Sequence, residues 1–546
     1  VEAKELLRRD GGEIMTDVAM HGHGVRGMRP ETLHSFDGIG DPGKFGVMFP
    51  NLLPLSASDD ALAELAEAML DTLDAKGNPD SAGDNLNIPA GYTYLGQFID
   101  HDITLDTTPL DQQKADPLAT VNFRTPALDL DSLYGDGPGI HPYLYQRDPA
   151  KPRIIGKMLI GHAGASRDQK QRPIPSLPND LPRNQVGHAL IFDERNDENL
   201  LVAQTHLLML KFHNKVFDKV AAENPSFSDD AVFKEARRIV TWHYQWIVLF
   251  DFVERLTEPG LIQKIKREGR RFYRFKQRPY MPAEFAAACY RLGHSMVRQT
   301  YSHNQVFNPT EDSITNGILG LLFFFTGKSG SITGELAPPP AAPPSAQATL
   351  PSNWVIDWRR FFDLSTPAGG NFALNHSRRL DPMITPALHT LPGADGVPAP
   401  KVREFNLAFR NLRRGVQIGL PSGQAVCRAM GLTPLKPAQI ATGPDGKAAK
   451  KHGLHEETPL WYYVLKEAEH YHKGERLGPM ASTIIAETFL GMVHGDHESF
   501  LWRQSDWKPE LPGATPGHFT MADLIRFVGD VDPVGTALEK VLVPQP

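Results

Sequence analysis

Cysteine is nearly absent. Cys289 and Cys427 are the only two in 546 residues, which excludes a disulfide-rich scaffold and leaves at most one bridge, or two thiols in a core. Long apolar runs are also missing: no stretch approaches the roughly 20 residues needed to span a bilayer. The segment from Val1 to Met15 is charged and lacks the apolar centre of a signal peptide, and because the chain starts with valine a processed precursor stays open. No excess of positive charge appears. With 57 basic against 64 acidic side chains the formal charge is -7, so nothing advertises a nucleic-acid surface. Sustained strand alternation is scarce, and no internal repeat is visible.

What is present is helical pattern. Apolar residues make up 41% of the chain, ample for a large core. Asp59 to Leu73 reads as a surface helix ending near Gly77, followed by a Gly, Asp, Asn and Pro-rich passage over 77–91. Leu200 to Ala222 reads as a helix with Leu201, Thr205, Leu208 and Phe212 on one side, and Phe233 to Arg255 as a buried one. A third runs from about Ala283 to Arg298, and 455–504 return to helix-like sequence. Glu335 to Ser352 carries Ala-Pro-Pro-Pro-Ala-Ala-Pro-Pro, which lacks amide donors and reads as an exposed loop. Gly443 to Lys451 reads as a second polar loop. The expected fold is mainly α, one large domain with little β structure.

Three groups of polar residues stand out. Gln97-Phe-Ile-Asp-His-Asp102 sets His101 between Asp100 and Asp102 at the end of an apolar run; on a helix Gln97 and His101 share a face. Asp193-Glu-Arg-Asn-Asp-Glu-Asn199 precedes the helix at 200, with Arg195 and Glu198 neighbours on a first turn. A solvated N-cap with a surface ion pair accounts for that segment equally well. Arg291-Leu-Gly-His294 places a glycine beside a histidine, where it costs about 1 kcal/mol in a helix interior and allows a flat group to approach the backbone. A core histidine donating to a carbonyl is the competing reading.

Together these residues resemble the animal-type haem peroxidases of the peroxidase-cyclooxygenase superfamily, in what looks like a bacterial branch. The family's distal signature, Gly-Gln, two apolar residues and Asp-His-Asp, stands here as Gly96 to Asp102. The resemblance runs from about Gly43 to Arg503. It implies a domain over 43–510 with a Pro-rich loop at 336–352, an N-terminal extension over 1–42 and a C-terminal segment over 511–546. It makes His101 the distal base, Gln97 its polar partner, Arg195 the catalytic arginine, and Asp100 and Glu198 ester links to haem. Thr125-Pro-Ala-Leu-Asp129-Leu-Asp131 is similar to the family's calcium loop, in which Thr125, the Ala127 carbonyl, Asp129 and Asp131 join Asp102; calcium takes six to eight such oxygens. His294 matches the proximal iron ligand. The segment from Asn411 to Gln424 resembles the one that supplies its orienting amide, implied here to be Gln424. Arg291 and Arg428 are the arginines implied to meet haem propionates.

The resemblance thus implies haem b or an ester-linked derivative, calcium, and a peroxidase that reduces hydrogen peroxide by way of an oxoferryl haem. Asn199 stands where one mammalian member carries a methionine joined to a haem vinyl group. An amide cannot form that bond, so bromide, iodide, thiocyanate and phenols, rather than chloride, are the expected donors. A fatty-acid dioxygenase of the same fold is the alternative enzyme. Its members use a tyrosine three residues before the proximal histidine, where Arg291 stands; Tyr290 lies about 100° away around a regular helix. A haem-free adhesion protein is the non-enzymatic alternative. Secretion or a periplasmic location follows from the resemblance alone, the oligomeric state is open with a monomer allowed, and catalase-like turnover is a compatible side activity.

Overall fold

The computed structural model describes residues 45–542 apart from 75–79, 106–121, 123, 149–153, 186, 276–277, 308–316, 324–325, 327–349, 365–373 and 392–400. The N-terminal extension and most of the Pro-rich loop therefore lie outside the described residues; the chain resumes at Leu350, which is buried. Helices dominate, and among the described residues the strands form only two-stranded pairs. The architecture is a mainly α single domain.

Helix α1 (Asp59–Ala68) starts on the Ser58 cap and is five residues shorter than its sequence pattern suggests. Leu70 leaves it to bridge Ile384. The site is organised by α2 (Gly91–Ile103), whose first turn has no side-chain cap. Its orphan donors are met by tertiary partners instead, Ala90 N giving to Asn375 O and Gly91 N to Phe361 O. This close approach demands glycine, since a Cβ at residue 91 would lie 2.3 Å from the Phe362 ring. Tyr92 then anchors the helix by donating to Asp251 at 2.8 Å. Asp251 belongs to a π turn (Val248–Phe252), which extends α4 (Asp229–Ile247). Phe98 is wholly buried, edge-on to His206 and Tyr244.

Helix α3 (Leu200–Glu223) matches its expected span and is capped by Asn199. It packs on both α2 and α4. Opposite lies α5 (Leu407–Gln417), whose Ala408, Phe409 and Leu412 are buried. The spacing of Leu407, Arg410, Asn411, Arg414 and Gln417 puts them along one other face. Next come α6 (Gly423–Ala429), α7 (Gly443–Lys451), α8 (Leu460–His472) and α9 (Pro479–Gly495).

Two expectations are corrected by tertiary contacts. Residues 443–451 are helix rather than loop: Ala448 and Ala449 are buried, and Asp445 accepts from Tyr462 Oη at 2.6 Å and pairs with Lys466 at 3.2 Å. The continuous helix expected over 283–298 is instead an α turn (Ala283–Ala286) and a 3-10 turn (Cys289–His294). Between them Ala288 leaves the helical region, with φ -133° and ψ -73°. A regular helix would set Phe285 and Tyr290 about 140° apart. The break lets their rings stack at 4.8 Å and 9°, and packing of two buried aromatics outweighs helix propensity.

Candidate active site

A cavity of about 630 Å³ opens between α2, the 289–294 turn, α5 and the residues before α3. This is a size typical of small-molecule and cofactor sites. Gln97, Asp100, His101, Glu198, Arg291 and His294 all line it, so three distant stretches of chain do converge.

On the α2 wall His101 is buried, and its Nδ1 lies 2.8 Å from Asn196 Oδ1. Asn196 Nδ2 lies in turn 3.0 Å from His206 Nδ1. With its Nδ1 proton given to an amide oxygen, His101 keeps an unshared pair on Nε2. Burial, and then the Arg195 charge, lower the His101 pKa, which favours that neutral form. Behind it, burial holds His206 down at about 3. Gln97, one turn earlier, donates to Glu198 Oε2 at 3.1 Å and accepts from Asn199 Nδ2 at 3.0 Å. Asp100 accepts from Thr104 Oγ1 at 3.2 Å.

Arg195 is fixed at the end of α2. Its guanidinium turns to the C-terminal end of α2, donating to His101 O at 2.9 Å and Thr104 O at 2.6 Å, and to Asp193 at 2.7 Å. It does not line the cavity. The physical reason is the partner set: helix-end carbonyls attract a cation, and Asp193 is a buried anion. Burial alone would raise the Asp193 carboxyl, but Arg195 and Arg124 hold it well below the usual range.

On the opposite wall the amide of Asn411 stands 2.6 Å from His294 Nδ1 through Nδ2. This corrects the assignment of Gln424 as the orienting amide. Gln424 is bound elsewhere, accepting from Thr458 N at 3.0 Å and donating to Thr458 Oγ1 at 2.8 Å. Arg428 is likewise corrected; it is 57% exposed and pairs loosely with Glu457. Arg291 lines the cavity as expected, and Arg410 and Arg414 join it from α5. Sequence reasoning missed Asn411 and Arg414. The available signal was an asparagine on the face of an amphipathic helix, next to Arg410 and about one turn before Arg414. Burial, then Arg291 and Arg410, lower His294 to about 3, leaving a neutral imidazole of the kind that binds metals.

The residues fit a flat prosthetic group. Two neutral imidazoles face one cavity, several guanidiniums stand at the His294 side, and a Cβ at Gly293 would meet nothing within 4 Å. The expected calcium loop does reach Asp102: Leu130 N and Ser132 N donate to its carboxylate at 3.2 and 3.3 Å. Thr125 Oγ1 donates to Asp131 at 3.4 Å, and Asp131 N donates to Asp129 at 3.2 Å. Burial, then the charge of Asp131, push Asp102 up to about 7. Among the described residues, however, no three or more His, Cys, Asp or Glu side chains are arranged to hold a metal. No described helix is long and apolar enough to cross a membrane.

Residues 104–511 match the family model described as animal haem peroxidase, so the chain belongs to that family. The match begins just beyond His101. Among relatives, canine thyroid peroxidase is 28% identical over 190 residues, 34% of this chain and 20% of that protein. Chorion peroxidase of Aedes aegypti is 30% identical over 126 residues, 22% of this chain and 16% of that protein. The aligned part is thus about a fifth of these relatives' length. Among solved structures, peroxidase A from Dictyostelium discoideum superposes with a TM-score of 0.55 at 17% identity, covering 94% of this chain and 98% of that one. A fatty acid alpha-dioxygenase from Oryza sativa gives 0.55 at 16%, covering 92% and 81%. These likenesses show the fold. They also correct the expectation of a bacterial branch, because the named relatives are all eukaryotic.

Proposed function

We propose that this chain is a haem-dependent peroxidase that reduces hydrogen peroxide and oxidises small donors such as bromide, iodide, thiocyanate or phenols. The observation that carries the proposal is a pair of neutral imidazoles, His101 buried and His294 half-buried, each held by an asparagine on the walls of one cavity. When bound, haem supplies the redox chemistry. His294 would hold its iron, and Arg291, Arg410 and Arg414, which line the same cavity, would pair with its carboxylates. For Nε2 to ligate, Nδ1 must carry the proton, so the Asn411 amide would present its oxygen. Asp100 and Glu198 line the same cavity and are the proposed ester links.

His101 Nε2 takes a proton from hydrogen peroxide and returns it to the departing oxygen. Asn196 keeps the ring in the tautomer that allows this. Gln97 borders the same space and offers an amide N–H to an oxygen bound beside His101. Arg195 is the proposed catalytic arginine beside His101, and it also holds the end of α2 by clamping the His101 and Thr104 carbonyls. Calcium would be held by Asp102 and Asp131 with Thr125, Ala127 and Asp129, easing the repulsion between the two buried carboxylates. The domain limits at 43–510, and secretion, follow from the resemblance.

Peroxide-driven oxidation of a donor panel containing bromide, thiocyanate and a phenol, followed by absorption, tests this reading. Turnover with a Soret band is expected. Folded protein that takes up no haem would end it. One observation favours the dioxygenase as a second reading: because the 283–298 helix is broken, Tyr290 lines the cavity. Its hydroxyl, however, donates to Gly96 O at 3.0 Å. Oxygen uptake with linoleate and no peroxide would select that activity.

A further inference from the structure

Asn199 does two things with one amide. Its Oδ1 accepts from Leu201 N at 3.1 Å and Val202 N at 3.0 Å, which caps α3. An amide nitrogen has no means of accepting those protons, so the orientation of Asn199 is decided by the helix. Nδ2 must then point the other way, where it meets Gln97 Oε1 at 3.0 Å. Nδ2 only donates, so Gln97 has to present its oxygen there, and its own nitrogen is turned to Glu198 Oε2 at 3.1 Å. All three side chains line the cavity. The backbone at a helix start thus fixes, through two successive amides, which atoms the α2 wall offers.

We propose that Asn199 is a positioning residue for Gln97, holding it so that the second hydrogen on Nε2 is the donor available to an anion or peroxide oxygen beside His101. With the amide reversed, Gln97 would offer a carbonyl oxygen and repel the same ligand. The proposal rests on the peroxidase reading above and assigns the residue at 199 a role that a methionine could not fill.

The test uses the full chain reconstituted with hemin and titrated with cyanide, a small distal ligand read from the Soret shift. Asn199→Ser keeps a good cap but is too short to reach Gln97, and Asn199→Asp keeps the cap while placing an oxygen where the donor was. Both should melt within about two degrees of the parent. Cyanide Kd should rise about tenfold in Asn199→Ser and further in Asn199→Asp. Gln97→Ala should show the same loss, and the double variant Asn199→Ser with Gln97→Ala no more than Gln97→Ala alone. Unchanged cyanide affinity in Asn199→Ser, or effects that add in the double variant, would overturn the proposal and leave Asn199 a cap only. Parent protein without a Soret band would sink the peroxidase reading instead.

Discussion

The two walls of the cavity present their imidazoles on different kinds of backbone. His101 sits in the last turn of a regular thirteen-residue helix and is oriented from behind by Asn196 and His206. His294 closes a six-residue 3-10 turn and is oriented by α5, more than a hundred residues away in sequence. Both rings are held by an asparagine distant in sequence, but one wall sets its ring on a regular helix among amides and the other on an irregular backbone among cations. The difference teaches where substitutions should be confined and where they should spread.

The largest effect is expected at the ligand. His294→Ala should abolish the Soret band together with peroxide-driven turnover, and a normal band in that variant would show that the 289–294 turn is not the haem-holding wall. His101→Ala should keep the band while rates fall about 10²–10⁴-fold, the range for loss of a general base; equal loss of haem would erase the proposed division between the walls. Next come the two amides. Asn411→Ala should weaken haem retention about 10–100-fold, as outer-shell partners of metal ligands do, whereas Gln424→Ala should leave the spectrum unchanged and lower only the melting temperature. The reverse pattern would restore Gln424 as the orienting group.

The smallest effect concerns buried imidazoles behind the walls. Burial holds His206 and His303 at about 3, below the usual value near 6.5. The unfolded chain therefore binds more protons than the fold in this range, so stability rises with pH. The contribution is complete above about pH 6.5 and is lost as pH falls towards 3. His303 packs in a cluster with Phe307 and Trp354, and neither ring nitrogen has a hydrogen-bond partner among the described residues. His303→Phe should flatten the acid limb of melting temperature against pH without changing the Soret band; a steeper limb would contradict the burial argument.

The α2 wall was legible in the sequence because its information is local. Gln97, Asp100 and His101 lie within five residues, and helical spacing alone puts Gln97 and His101 on one face. Asn199 was visible as a cap position at the start of α3. Arg195 was found as a residue but not as a position, since Asp193 and two carbonyls of α2 decide where its guanidinium goes. Asn411 was overlooked in favour of Gln424, thirteen residues later, because the choice between two amides depends on how α5 lies against the 289–294 turn.

The sequence by itself determined the helical class, the family and the two histidines, because these depend on periodicity and on short runs of neighbouring residues. Only the tertiary structure decided that the helix at 283–298 breaks, that 443–451 form a helix, that Arg195 clamps the His101 and Thr104 carbonyls and that Asn411 orients His294. In each case a deciding partner comes from a distant helix or turn: Phe489 against the stacked Phe285 and Tyr290, Lys466 against Asp445, the carbonyls of α2 against Arg195, or α5 against His294. Such pairings lower the energy only once the chain has packed, so no pattern within a short window encodes them.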